Sequence, residues 1–242
     1  MALTNKPICI WFDLDDTLIT TSQSLIAAVK ASTSYLTKCY PDLTERDIAH
    51  HSMDVWLKEL GPGTAGFSNL RDLQLDSFRS HIALGTLRRL GLVGINTDEL
   101  IQLSSQAEEQ AWVCFPDVHQ LLQTLHQRKT PIGLISNGPT ALQNHKLATC
   151  GLRHYFDHIV LDCEIGISKP DGGIFTAAEA LMPGYDHVMV GNDPDADIDG
   201  AIRANWMAYW FKPGWFGETK PTELGYIPIQ HHSEVLNHLT KG

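Results

Sequence analysis

Apolar and polar positions change their period twice along this chain. Ile8-Cys9-Ile10-Trp11-Phe12 is an apolar run fed by Pro7 and closed by Asp13, which predicts a buried strand. Beyond Leu18 the period becomes helical, with Leu25, Ala28, Val29, Ser32 and Leu36 at helical spacing. Pro41-Asp42 interrupts it, and Thr44 with Asp47 three residues on predicts a capped start for the next helix. Gly61-Pro62-Gly63-Thr64-Ala65-Gly66 is the strongest internal breaker. Leu73, Phe78, Ile82 and Leu90 carry a helical period over 70–92, and Thr97 opens another helix through Leu100, Leu103 and Ala107. No strand-like alternation falls between residues 20 and 112, so this block is expected to be wholly helical.

After Phe115-Pro116-Asp117 helical and strand-like segments alternate. Val118, Leu121, Leu122 and Leu125 make one helix face, 131–135 a short apolar strand, and Leu142 and Leu147 part of the next helix. Ile159-Val160-Leu161 reads as a strand, Ile174, Phe175, Ala178 and Leu181 as a helix face, and His187-Val188-Met189-Val190 and 207–211 as strands. Residues from Pro213 to Gly242 read as loops plus a short terminal helix. Strand–helix alternation predicts an α/β fold with a doubly wound parallel sheet, which binds ligands at the carboxyl ends of its strands. The expected organisation is an α/β core of residues 1–19 and 112–242, with a helical domain of residues 20–111 inserted after the first strand.

Composition narrows the function. The 242 residues suffice for one large domain or two moderate ones. Eighteen basic against 28 acidic residues give a net charge of −10, which argues against nucleic-acid polymers and anionic membranes as partners. No apolar run approaches a membrane span. The opening residues from Met1 to Pro7 show no signal-peptide pattern. The five cysteines are scattered without a Cys-x-x-Cys pair, which predicts reduced, mostly buried thiols and a cytoplasmic setting. The twelve histidines, including His50-His51 and His231-His232, lack a carboxylate or cysteine at ligand spacing and are read as surface or structural.

The candidate chemistry sits just past the predicted core strands. Asp13, Asp15 and Thr17 follow the first strand, and Ser136-Asn137-Gly138 follows Ile132–Ile135. Lys169-Pro170 lies in Gly166-Ile167-Ser168-Lys169-Pro170-Asp171, and Gly191-Asn192-Asp193-Pro194-Asp195-Ala196-Asp197 follows the 187–190 strand. A buried strand that ends in clustered negative charge is costly unless something uses that charge, and Mg²⁺ with phosphate chemistry uses it. A carboxylate attacking a phosphate dianion at about 4 Å, in an effective dielectric near 20, meets roughly 8 kcal/mol of repulsion. A lysine and a divalent cation at the same spot offset that penalty.

These four motifs, in this order, resemble the signatures of the haloacid dehalogenase-like hydrolases, most of which are phosphatases. The resemblance covers most of the core and likens the helical insert to that family's cap, which closes over small substrates. It implies Asp13 as a nucleophile forming an aspartyl-phosphate and Asp15 as general acid and base. Lys169 would pin Asp13 and the phosphate, with Thr17, Ser136 and Asn137 as phosphate donors. Mg²⁺ would be held by Asp13, the Asp15 carbonyl and an acid of the fourth motif. That motif departs from the common pattern, because Asn192 occupies the usual aspartate position. Asp193 is therefore expected as the metal carboxylate, Asn192 as a ligand or close neighbour, and Asp197 as the group orienting Lys169 or a metal-bound water. Ser136-Asn137-Gly138, Gly151-Leu152-Arg153-His154-Tyr155-Phe156-Asp157 and Ile167-Ser168-Lys169-Pro170 look most like the pyrimidine 5′-nucleotidase branch. This implies a small phosphorylated metabolite, extending to a nucleoside 5′-monophosphate, as substrate. Phosphomutase, metal-independent dehalogenase and a non-catalytic binding protein on the same fold are the rival readings.

Overall fold

The computed structural model describes residues 6–212 and 220–239. Described residues within Met1–Ile19, Cys114–Gly138 and Cys150–Gly242 form one compact unit, and those within Thr20–Val113 and Pro139–Thr149 form a second. β1 (Ile8–Phe12) leads into the helical unit. That unit holds α1 (Thr21–Leu36), α2 (Glu45–Val55), α3 (Leu75–Leu90) and α4 (Thr97–Gln110), with a π-helical turn at Trp56–Leu60 and a 3-10 turn at Phe67–Asn69. The chain returns through α5 (Val118–Gln127) and β2 (Ile132–Ser136), then adds α6 (Thr140–Thr149) to the helical unit. The first unit is completed by β3 (His158–Leu161), α7 (Asp162–Ile165), α8 (Gly172–Leu181), β4 (Asp186–Gly191), a π-helical turn at Pro194–Asp199, α9 (Gly200–Arg203), β5 (Met207–Phe211), β6 (Ile227–Ile229) and α10 (Glu234–Leu239).

The strands form one sheet in the order β3-β2-β1-β4-β5-β6, with every neighbouring pair parallel. The fold is α/β, as the alternation predicts. β1 is central, with Cys9, Ile10, Trp11 and Phe12 fully buried, which accounts for its near-continuous apolar run. Strand order reverses between β1 and β4, opening a crevice at their carboxyl ends. β6 is an addition to the expected pattern. Ile227-Pro228-Ile229 is too short to show a period, and Pro228 is tolerated because β6 is an edge strand that pairs only with β5. The part of the C-terminal segment at 213–219 and 240–242 lies outside the described residues, as do residues 1–5.

In the helical unit the Thr44–Asp47 capping box is present in both directions, at 3.2 and 3.0 Å. α3 starts at Leu75 instead of near residue 70, since the chain before it makes the 3-10 turn. α4 is capped by Asn96, whose Oδ1 accepts from the Glu99 amide. Leu36, Ile48, Leu87 and Leu100 meet in a buried cluster, one from each of α1 to α4. Among the described residues no helix is long and apolar enough to cross a membrane. The cysteines are all free, but only Cys9 and Cys163 are buried; Cys39 is exposed, and Cys114 and Cys150 are half-buried.

A close approach on the sheet fixes one side chain beneath the crevice. Trp11 pairs in register with Gly133, and a Cβ built on Gly133 would fall inside the Trp11 indole. The same indole stacks on Trp206 at 6.1 Å between centroids and donates from Nε1 to Nδ1 of His187 at 3.0 Å. With the ring held this way, Gly133→Ala is expected to destabilise the protein by about 1–3 kcal/mol through overpacking. A urea-unfolding midpoint equal to wild type would show that the indole moves aside freely.

Candidate active site

The parallel strands deliver their polar ends to one edge of the sheet. Asp13 continues β1 by donating its amide to the Val190 carbonyl at 2.9 Å. The chain then turns tightly, with Asp16 in the left-handed region at φ 57°. Leu18 and Ile19 donate to the Leu14 carbonyl, and Asp16 donates to that of Ile19. Leu14, Leu18 and Ile19 are fully buried, so the apolar residues of this loop anchor it, with Asp13 and Thr17 also buried and Asp15 half-buried. Ser136 is buried at the carboxyl end of β2.

Lys169 joins the motifs. Its Nζ lies 2.7 Å from Oδ1 of Asp13, 2.6 Å from Oδ1 of Asp197 and 2.9 Å from the Ile135 carbonyl. Three acceptors match the three hydrogens of an ammonium, so a charge with only 2% side-chain exposure is fully satisfied. One ammonium serves two buried carboxylates, with Asp15 close enough to act on Asp13 as well. Burial first, then the charge of Asp197, pushes the Asp13 carboxyl up to about 7 against the pull of Lys169. Asp197 is also raised, chiefly by burial. Lys169 is held charged well above its ordinary range because both carboxylates outweigh its own burial.

The loops carrying these groups are tied to one another. Asn137 grips the Lys169 peptide with both ends of its amide, Nδ2 donating to the Lys169 carbonyl at 3.0 Å and Oδ1 accepting the Lys169 amide at 2.9 Å. Asn137, expected as a phosphate donor, therefore has its side chain engaged in holding Lys169. The peptide Lys169-Pro170 is cis. Asp162, one residue past β3, accepts from the Gly138 amide at 2.8 Å and the Ser168 hydroxyl at 2.7 Å. It was not among the expected site residues, although a carboxylate directly after an apolar strand was there to be read.

The fourth motif departs most from expectation. Asp197 turns back onto the end of β4, where its Oδ2 accepts from the Asp193 amide at 2.9 Å. A Cβ on Gly191 would overlap that carboxylate, which makes Gly191 a second unanticipated contributor. Asp193 is exposed, and its Oδ1 caps the following π-helical turn by accepting from the amides of Asp195 and Ala196 at 3.0 and 2.8 Å. Oδ1 of Asp193, the residue expected as the metal carboxylate, is thus engaged in capping. Asn192 is the residue that faces the first motif: Thr17 donates its hydroxyl to Asn192 Oδ1 at 2.9 Å, and Trp210 Nε1 donates to the Asn192 carbonyl at 3.0 Å.

Whether these residues suit a divalent cation can be judged from charge and donor chemistry. Among the described residues no three His, Cys, Asp or Glu side chains form a ready-made cage. Mg²⁺ does not need one, because it takes one or two carboxylates and keeps water for the rest. Carboxylates outnumber cations around Asp13, and carbonyl and amide oxygens lie on the adjacent loops, so the donor set fits a hard cation. Three histidines meet carboxylates across long stretches of sequence, His81 with Glu59, His145 with Glu109 and His232 with Asp117, and among the described residues none of these contacts is part of a metal cluster.

The family model for haloacid dehalogenase-like hydrolases matches residues 9–205. The glyceraldehyde 3-phosphate phosphatase of Methanothermobacter thermautotrophicus is 30% identical over 201 residues, 82% of this chain and 83% of the relative. The pyrimidine 5′-nucleotidase YjjG of Escherichia coli is 43% identical over 82 residues, 33% of this chain and 36% of the relative. The HAD-hydrolase YfnB of Bacillus subtilis, solved bound to magnesium, shares the fold at a TM-score of 0.65 and 19% identity, covering 97% of this chain and 99% of that one. The chain belongs to the haloacid dehalogenase-like hydrolases.

Proposed function

We propose that this hydrolase is a Mg²⁺-dependent phosphatase of small phosphate monoesters, with a nucleoside 5′-monophosphate as the first substrate to test. The observation that carries the reading is the Lys169 ammonium held between Asp13 and Asp197 at the carboxyl edge of the sheet. Matched stretches in a glyceraldehyde 3-phosphate phosphatase and a pyrimidine 5′-nucleotidase support the substrate class.

In this reading Asp13 attacks phosphorus through a carboxylate oxygen and becomes an aspartyl-phosphate. Asp15 protonates the departing oxygen and then takes a proton from the water that hydrolyses the acyl phosphate. Lys169 orients Asp13 and lowers the cost of ionising it, and Asp197 keeps Lys169 in place. Ser136 and backbone amides of the first two loops bind phosphoryl oxygens, while Thr17, whose one hydroxyl hydrogen goes to Asn192, steadies that amide. Asp13, the Asp15 carbonyl and the Asn192 amide oxygen would hold a Mg²⁺, whose positive charge would offset repulsion between carboxylate and phosphate.

A panel of nucleotide, sugar and aryl phosphates, run with and without divalent metal, tests the reading. Turnover that survives chelation would indicate dehalogenase-type chemistry, and no turnover with Mg²⁺, Mn²⁺ or Co²⁺ would indicate a binding protein. Asp13→Asn is expected to abolish hydrolysis of p-nitrophenyl phosphate, and Asp15→Asn to lower kcat by roughly 10²–10⁴-fold. An unchanged kcat in Asp15→Asn would remove it from the acid and base role. Asn192→Asp is expected to lower the Mg²⁺ concentration that half-saturates the change in tryptophan fluorescence, since Trp210 is bonded to this residue. Equal half-saturation would place the metal elsewhere.

Stability should depend on pH through the same carboxyl. A folded-state value near 7 exceeds the ordinary 3.8, so protonated Asp13 favours the fold. That stabilisation is complete below the ordinary value and is lost as pH rises towards about 7. The metal-free protein is therefore expected to melt at progressively lower temperature across this window. Mg²⁺ should raise the melting temperature more at pH 7.5 than at about pH 5, by mass action on the ionised form. Equal Mg²⁺ effects at both pH values, measured by calorimetry, would contradict it.

A further inference from the structure

His232 stands just past β6 with its side chain only 1% exposed. Its Nε2 lies 2.7 Å from the Thr17 carbonyl and its Nδ1 lies 2.8 Å from Oδ1 of Asp117. A carbonyl only accepts, so Nε2 carries a hydrogen. Asp117 is held well below the usual carboxylate range. Its partial burial pushes upward, but the hydrogen bond from His232 and that from the Ser233 amide outweigh it. Nδ1 faces the Asp117 carboxylate, and the hydrogen on Nε2 is assigned from its carbonyl partner. Phe115 and Phe211 flank the ring, with centroids at 5.7 and 4.0 Å. Without the imidazole, the Thr17 carbonyl would face this aromatic wall with a donor missing, and an unpaired buried carbonyl is costly.

We propose that His232, braced by Asp117, is a positioning residue that fixes the Thr17 carbonyl from behind and so aims the Thr17 hydroxyl at Asn192. The distances form a relay: Asp117 to ring, ring to the Thr17 carbonyl, and Thr17 hydroxyl to Asn192 Oδ1. The segment after β6 thereby becomes part of the apparatus at the opposite end of the sequence. The loop from Asp13 to Leu18 is already folded inward onto the Leu14 carbonyl, and His232 supplies its outer restraint. The consequence for catalysis rests on the phosphatase reading above, whereas the link between His232 and Asn192 does not.

In the wild-type protein, nitrogen-edited NMR is expected to show a His232 Nε2–H that exchanges slowly with solvent; rapid exchange would overturn the proposal. His232→Phe keeps an aromatic ring without a donor, and His232→Gln keeps an amide. The side-chain amide signal of Asn192 is expected to move in His232→Phe and to lie nearer wild type in His232→Gln. An unmoved signal in folded variants would sink the link whether or not the protein hydrolyses any ester. With p-nitrophenyl phosphate, His232→Phe is expected to lower kcat roughly tenfold with KM within about twofold, as for a small misplacement of a site group. In a Thr17→Val background the same change should cost little more, because both substitutions disable one relay. Fully additive losses would mean that His232 acts only on stability. Absence of turnover in the wild type would count against the phosphatase reading alone, and the Asn192 signal would still decide the relay.

Discussion

The site depends on one ammonium shared by two buried carboxylates. Lys169 draws Asp13 from the end of β1, Asp197 from the turn after β4 and the Ile135 carbonyl of β2 to a single point. Removing either carboxylate would leave Lys169 paired with the other but with one of its three hydrogens short of an acceptor in a buried place. Removing the lysine would bring two like charges together with nothing between them. The surrounding contacts make sense as protection of this point. Asn137 grips the peptide from which Lys169 projects, and Asp162 links the loops on either side of it.

The same cluster leaves Asp13 with a charge imbalance as well as a fixed position. An ammonium with three acceptors is satisfied, but each carboxylate holds only a share of it. The remaining negative charge makes Asp13 hard to ionise until a further positive group arrives. The fold tolerates this imbalance at the strand ends because the sheet beneath is firmly packed, with Trp11 locked over Gly133 and against Trp206.

Much of this was legible in the sequence. The apolar run to Phe12, the strands after Phe115 and the capping box at Thr44 are local signals, and each appears in the structure where its period or side-chain chemistry put it. The family resemblance rested on motifs at successive strand ends and holds for the same reason. What could not be read depended on contacts between distant residues. Whether Asn192 or Asp193 faces the first motif is decided by the path of the turn after β4, where capping takes up Asp193. His232 could be read only as surface or structural, because nothing nearby in sequence hints at Asp117 or the Thr17 carbonyl. β6 is three residues long, below the length at which alternation is visible.

The allocation of α6 carries a practical consequence. The helical unit is not one continuous insertion: Pro139–Thr149 joins it from the far side of β2, so the backbone crosses between units at four places instead of two. A chimera that swaps only residues 20–113 would set foreign helices against the native α6 and mismatch their packing. Exchange of specificity between relatives by grafting this region would need both pieces transferred together, with the junction after Gly138 kept intact for its bond to Asp162.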